Sequence, residues 1–227
     1  MGMQKKMSRR EFLKASAATG AILSMAPSIT LAEEPKSIQL LTPQLGGGSP
    51  VMQLLLKRKS SIEFSSKPLP VEVLSNLLWA GFGINRPDGK RTAPSAMNRQ
   101  DVDIYVTLSD GLYLYDAKAN QLKLVLAEDL RGLAGTQAYV KEAPVNLIYV
   151  SDYAKMGDKI PDEIKTLLSG SHAGFISENV YLYCASEGLA TVVRAYVDIP
   201  ALSKAMKLRP DQKIILAQSV GYPKKTS

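Results

Sequence analysis

A single cysteine, Cys184, and a single histidine, His172, stand among 227 residues. One thiol closes no intrachain disulfide and builds no cysteine-based zinc or iron–sulfur framework. One imidazole excludes any metal site with two histidine ligands, and a serine–histidine–aspartate triad would have to use that residue alone. No metal site is expected. Trp79 is the only tryptophan, and it reads as core rather than as a stacking platform. No apolar run reaches the ~20 residues of a membrane span, so no stable membrane span is expected. There is no Walker motif. Gly81-Phe82-Gly83 follows a helical pattern and leads to Arg86 rather than to a third glycine, so it is not a dinucleotide fingerprint.

The chain does have an excess of positive charge, 28 Lys and Arg against 21 Asp and Glu, a formal net of +7. Residues 1–32 hold five of those bases against one acid, Glu11. The rest of the chain is therefore only mildly cationic. That removes the electrostatic case for nucleic-acid binding but leaves room for a local anion site. With 45% hydrophobic and 22% charged residues, the composition is that of one globular domain with a real core.

Residues 1–32 have the parts of a bacterial export signal in order. Ser8-Arg9-Arg10-Glu11-Phe12-Leu13-Lys14 precedes a weakly apolar run from Ala15 to Ala26, and Thr30-Leu31-Ala32 offers a small-residue cleavage site. The paired arginines followed by Phe-Leu-Lys resemble the twin-arginine class, which implies export of an already folded protein to the periplasm. A cofactor loaded before export suits that route.

Residues 33–49 read as a linker and residues 50–227 as the folded domain. Ser49 is placed as N-cap of a helix from Pro50 to about Arg58. A second helix is expected from Val71 to Gly81, with Val73, Leu74, Leu77 and Leu78 on one face. Gly83 to Arg99 reads as loop. Val102–Val106, Leu112–Tyr115 and Leu122–Val125 alternate as strands, the last two as a hairpin. Val145–Val150 reads as a central strand buried on both faces. Met156–Gly170 reads as a polar insertion with a short helix after Pro161. Ser171–Gly188 reads as the longest helix, apolar almost all round and central. His172 falls near its start as a structural or solvent-facing residue, Cys184 is a buried small hydrophobe, and Tyr181 and Tyr183 lie on different faces. Thr191–Val197 and Ile214–Val220 are further strands, and Pro200–Met206 is a helix. The fold class is α+β, with a central mixed or antiparallel sheet flanked by helices.

Three stretches carry a family resemblance. The first is Lys57-Arg58-Lys59-Ser60-Ser61-Ile62-Glu63-Phe64 with Lys67-Pro68-Leu69-Pro70 and Leu77-Leu78-Trp79-Ala80. The second is Gly83-Ile84-Asn85-Arg86-Pro87 with Arg91-Thr92-Ala93-Pro94-Ser95-Ala96-Met97-Asn98-Arg99-Gln100. The third is Ala185-Ser186-Glu187-Gly188-Leu189 with Val220-Gly221-Tyr222-Pro223. In this order and spacing they resemble the FMN-dependent nitroreductase family over roughly Pro50 to Lys225. The Asn-Arg-Pro and Pro-Ser-Ala loop and the Gly111–Asp116 hairpin resemble its branch of azoline-oxidising dehydrogenases.

The resemblance implies a homodimer with FMN at the subunit interface. It also implies an oxidoreductase that passes electrons through flavin N5, by a ping-pong mechanism, from a donor to a small conjugated acceptor such as a nitroaromatic or quinone. Oxidation of an azoline-like substrate and non-catalytic flavin binding are the alternatives. Arg58, Lys59 and Ser60 match the family segment that binds FMN, and two cations with a hydroxyl suit a phosphate dianion. They read equally as a solvated basic helix end. Pro94, Ser95, Ala96 and Asn98 match the loop that lies against the flavin ring, often from the opposite subunit. Glu187 and Gly188 match the segment whose backbone N–H faces N5, and Gly188 also suits a helix stop. Gln137 is a candidate for the pyrimidine edge. Ile62 stands where many members have Lys or Arg, leaving Arg91 or Arg194 as substitutes. Lys224 and Lys225 stand in for a late arginine that reaches the phosphate. No protein group is assigned as a catalytic acid or base. The electron donor is left open, because NAD(P)H, the usual donor, is not expected outside the cytoplasm.

Overall fold

The structure, a computed structural model, describes residues 37–224. The export signal and Lys225 lie outside them. Seven strands form one sheet: β1 (Ile38–Gln39), β2 (Val102–Leu108), β3 (Gly111–Asp116), β4 (Gln121–Leu126), β5 (Val145–Asp152), β6 (Ala190–Arg194) and β7 (Gln212–Gly221). Their order is β1-β4-β3-β2-β5-β7-β6. Every pairing is antiparallel, which resolves the mixed-or-antiparallel expectation.

Alternation along the strands divides the core between the two faces of the sheet. Ile104, Val106, Leu147 and Tyr149 pack with Leu74, Leu77 and Leu78 of α2 (Val71–Phe82), while Tyr105, Ile148 and Val150 pack with Leu202 and Met206 around α5 (Ile199–Ala205). β5 is buried along its whole length, so a continuous apolar run rather than an alternating one marks it. Leu77 and Leu78 are fully buried, and each such side chain stabilises the fold by roughly 1.5–3 kcal/mol.

Three sequence readings differ from the structure. From Ile38 on, the segment read as linker is part of the domain: β1 pairs with β4, Leu40 is buried, and Leu41 N–H donates to Ser75 Oγ. In addition, α1 (Val51–Lys57) starts after Pro50 at the cap position, with no side-chain cap from Ser49.

The third correction concerns the longest helix. α4 spans Asp162–Glu187, 26 residues, so the supposed insertion from Asp162 to Gly170 is its first part. The polar residues there mislead because one side faces solvent while Lys165 and Ser169 turn inward. Nor is the helix buried all round, since Phe175 is exposed. It ends at Gly188, where a left-handed conformation (φ 66°) lets the chain turn into β6. Cys184 is buried against the sheet as expected, and burial pushes its thiol pKa up. The short helix α3 (Tyr139–Glu142) leads into β5.

Candidate active site

The C-terminal end of α4 gathers residues from three distant parts of the sequence. After α1 the chain runs extended beside the sheet edge. Ser61 N–H donates to Thr191 O at 2.9 Å, Ser65 N–H to Tyr222 O at 2.8 Å, and Lys224 N–H to Glu63 O at 3.2 Å. Phe64 forms an isolated bridge with Pro223. These backbone bonds hold the Arg58–Ser60 segment and Lys224 against the turn at Gly188.

Two adjoining clefts open there and share Gly188, Pro223 and Lys224. The smaller, about 390 Å³, is lined by Lys57, Lys59, Tyr181 and Thr191 among others. The larger, about 910 Å³, has aromatic walls in Phe64 and Tyr222 and basic residues Lys67, Arg131 and Lys141. Arg131 is paired with Asp129 at 2.7 Å, and Lys67 lies 4.8 Å from the Tyr222 ring centroid. Lys67, Arg131 and Lys141 come from separate elements, so no local motif announces them. A Cβ added at Gly188 would meet nothing within 4 Å; the main chain is open to close approach on that side. Glu187 is exposed and faces a third, more polar recess with Trp79, Asn85 and Asn179.

Tyr181 supports the segment from below. It is buried on α4, its hydroxyl lies 2.8 Å from Ser60 Oγ, and the Arg58 guanidinium lies 5.3 Å from its ring centroid. Tyr183 faces elsewhere, donating to Val73 O at 3.3 Å, as the expectation of different faces requires.

The Pro94–Asn98 loop is not part of this cluster within the same chain. Ala96 N–H donates to His172 Nε2 at 2.8 Å, and about 24 Å of helix axis separates His172 from Gly188. The loop is exposed at Pro94, Met97 and Asn98. It is held in an uncommon conformation, with positive φ at Met97 (52°), Asn98 (53°) and Gln100 (47°). Such geometry persists only where the surroundings enforce it. Here Gln100 supplies much of the restraint: its N–H donates to Ser95 Oγ at 2.9 Å and its amide to Asn98 Oδ1 at 3.0 Å, while its Oε1 accepts from Arg91 Nε at 2.8 Å.

His172 supplies the rest, and the sequence reading misplaced it. It is mid-helix and buried, because α4 begins nine residues earlier than expected. Since Nε2 accepts from Ala96, the ring proton sits on Nδ1 and is donated to Asp101 Oδ1 at 2.6 Å. Asp101 is itself fully buried, and its Oδ2 accepts from Ser151 Oγ at 2.8 Å. A carboxylate, an imidazole and a backbone N–H thus form one line from the core to the loop.

The two proposed substitutes for the missing cation at position 62 are committed elsewhere. Arg194 is buried and donates to Ala134 O, Ser219 Oγ and Asn146 Oδ1. Burial lowers its pKa to about 10. Arg91 donates to Phe82 O at 2.9 Å as well as to Gln100, and burial lowers its pKa too. Gln137 lines neither cleft; its Oε1 is buried without a hydrogen-bond partner. Among the described residues no group of three or more His, Cys, Asp or Glu is placed to hold a metal ion, and no helix is long and apolar enough to cross a membrane.

Comparison with known proteins gives the following likenesses. The nitroreductase family matches residues 55–222, and the twin-arginine translocation pathway signal sequence matches residues 6–26. A protein named as a nitroreductase in Methanocaldococcus jannaschii is 31% identical over 156 residues, which are 64% of this chain and 78% of that one. The crystal structure of a protein described as a nitroreductase from Ralstonia eutropha JMP134 is 40% identical, covering 85% of this chain and 95% of the other, with a TM-score of 0.80. A Desulfovibrio desulfuricans structure, described as a nitroreductase in complex with FMN, shares the fold at 20% identity and a TM-score of 0.57, covering 80% of this chain and 91% of that one.

Proposed function

The chain belongs to the nitroreductase family and is an oxidoreductase, and from that premise we propose that it is an FMN-dependent enzyme acting as a periplasmic homodimer. One observation carries the reading. Lys59 and Lys224 line the cleft at the open, left-handed Gly188, and Arg58 and Ser60 rest on Tyr181, which lines the same cleft. A phosphate dianion needs cations and short donors together, and this cluster has both, so the residues fit the group.

Bound there, FMN would supply redox chemistry at its N5 between a donor and a conjugated acceptor such as a nitroaromatic or quinone, in a ping-pong cycle. Arg58, Lys59 and Lys224 neutralise the phosphate, and the Ser60 hydroxyl orients it. Gly188, without a side chain, lets the Glu187-Gly188 backbone approach the ring. Pro94, Ser95, Ala96 and Asn98 of the opposite subunit cover the ring and exclude water. Ile62 is exposed and brings no charge to the pyrimidine edge. No side chain is needed as a proton donor or acceptor in this scheme.

Apolar exposure favours the homodimer. α1 has no buried residue although Val51, Met52, Leu55 and Leu56 project from it, and α4 presents Ile164, Leu167 and Phe175 to solvent. A seven-residue helix is not stable on propensity alone and needs a packing partner. The domain organisation follows: a signal over residues 1–32, removed on export, and a flavin-binding domain that includes β1. The twin-arginine signal suits loading of FMN in the cytoplasm. Outside it, a membrane quinol or a protein carrier is the donor we favour.

The test is to express the chain with its signal intact, purify the folded protein and record its visible spectrum. Bound flavin should absorb, and stopped-flow mixing should show reduction by a quinol-type donor and reoxidation by a nitroaromatic or quinone. A protein that carries no flavin and takes up none from added FMN rejects the reading.

A further inference from the structure

The Tyr181 phenol touches both functional side chains of the Arg58–Ser60 segment. Its oxygen accepts from Val193 N–H at 2.9 Å and lies 2.8 Å from Ser60 Oγ. A phenol has one proton, and Val193 N–H cannot receive it. Either hydroxyl can donate across this contact; the direction that gives the phenol proton an acceptor has Tyr181 donating and Ser60 accepting. The serine's own proton is then free, and Ser60 is exposed. Backbone N–H, phenol and serine hydroxyl therefore point their donors the same way, an arrangement in which each bond polarises the next. The chain of donors ends beside Arg58, whose guanidinium rests over the ring of the same tyrosine at 5.3 Å.

We infer that Tyr181 is a positioning residue that presents the Ser60 hydroxyl and the Arg58 cation to a phosphomonoester, giving the site its preference for FMN over flavins that lack the phosphate. This inference rests on the flavin reading above. It adds a residue that acts through Ser60 and Arg58, and it assigns selectivity to a bond direction rather than to charge alone. A free donor at the end of an aligned chain favours a dianion strongly and a neutral hydroxyl weakly.

The experiment compares FMN with riboflavin on the flavin-free folded protein, by fluorescence titration, for wild type, Tyr181→Phe, Ser60→Ala and the double variant. Wild type should bind FMN more tightly. Each single variant should weaken FMN by about ten- to a hundredfold and move riboflavin by less than about twofold. The double variant should be no worse than either single one, since both remove the same donor chain. Equal weakening of both flavins by Tyr181→Phe assigns the tyrosine to packing and overturns the inference, as does unchanged FMN affinity. Should Tyr181→Phe fail to fold, Ser60→Ala decides: an unaltered preference for FMN overturns it. Wild type binding both flavins equally overturns it while leaving the flavin reading standing. Wild type binding neither flavin removes both.

Discussion

In the anion site we propose, Arg58 is the cation that rests over the Tyr181 ring. Arg58→Ala removes a charge-assisted contact, and FMN affinity should fall by about 1.5–3 kcal/mol in a titration of the flavin-free protein; unchanged affinity would take Arg58 out of the site. His172 is a different case, because it holds a loop rather than a ligand. His172→Phe leaves the Ala96 N–H and one Asp101 oxygen without partners in the core. Stability in urea should drop by about 2–4 kcal/mol, and limited proteolysis should begin to cut near Met97. Equal stability would mean that the Asp101–His172 line does not hold the loop. Arg58 and Ser60 were conspicuous in the sequence as candidates for the proposed site, because cations and a hydroxyl at a helix end suggest an anion whatever the fold. His172 was not, because its role depends on where its helix begins and on a partner 71 positions away. The roles imagined for Arg91 and Arg194 failed for a related reason. Sequence shows a charge but not the carbonyl and amide oxygens that have already engaged it.

Secondary structure was legible where one periodicity dominated. α2 shows its apolar face at 3.6-residue spacing, β4 alternates, and β5 carries the apolar run Leu147–Val150. The first part of α4 was not legible, because a solvent-facing side and inward-turned Lys165 and Ser169 dilute the signal. β1 was hidden for want of length: two residues make no pattern, and only the pairing with β4 defines it. α1 and α4 also carry a prediction of their own. Their apolar residues, each costing roughly 1.5–3 kcal/mol to leave in water, should lie in the subunit interface. Leu56→Glu combined with Phe175→Glu should convert a dimer into a monomer in sedimentation equilibrium and lower its flavin content. A double variant that stays dimeric with full flavin would move the interface elsewhere.

For the molecule as a whole, the α+β class followed from the succession of helices, hairpin, central strand and long helix. The strand order did not, since local patterns do not reveal that β7 inserts between β5 and β6. The same limit hid the division of labour along α4. Its C-terminal turn serves the cleft of its own chain, while its middle, through His172, braces a loop too distant to reach that cleft. In the homodimer we propose, each helix would therefore work for two reaction centres at once. This has a genetic consequence: two crippled parents can yield an active hybrid. When chains carrying Arg58→Ala are mixed and re-associated with chains carrying His172→Phe, each hybrid has one centre with both defects and one with neither. Random pairing should restore about a quarter of the wild-type centres, whereas centres built within single chains would give none.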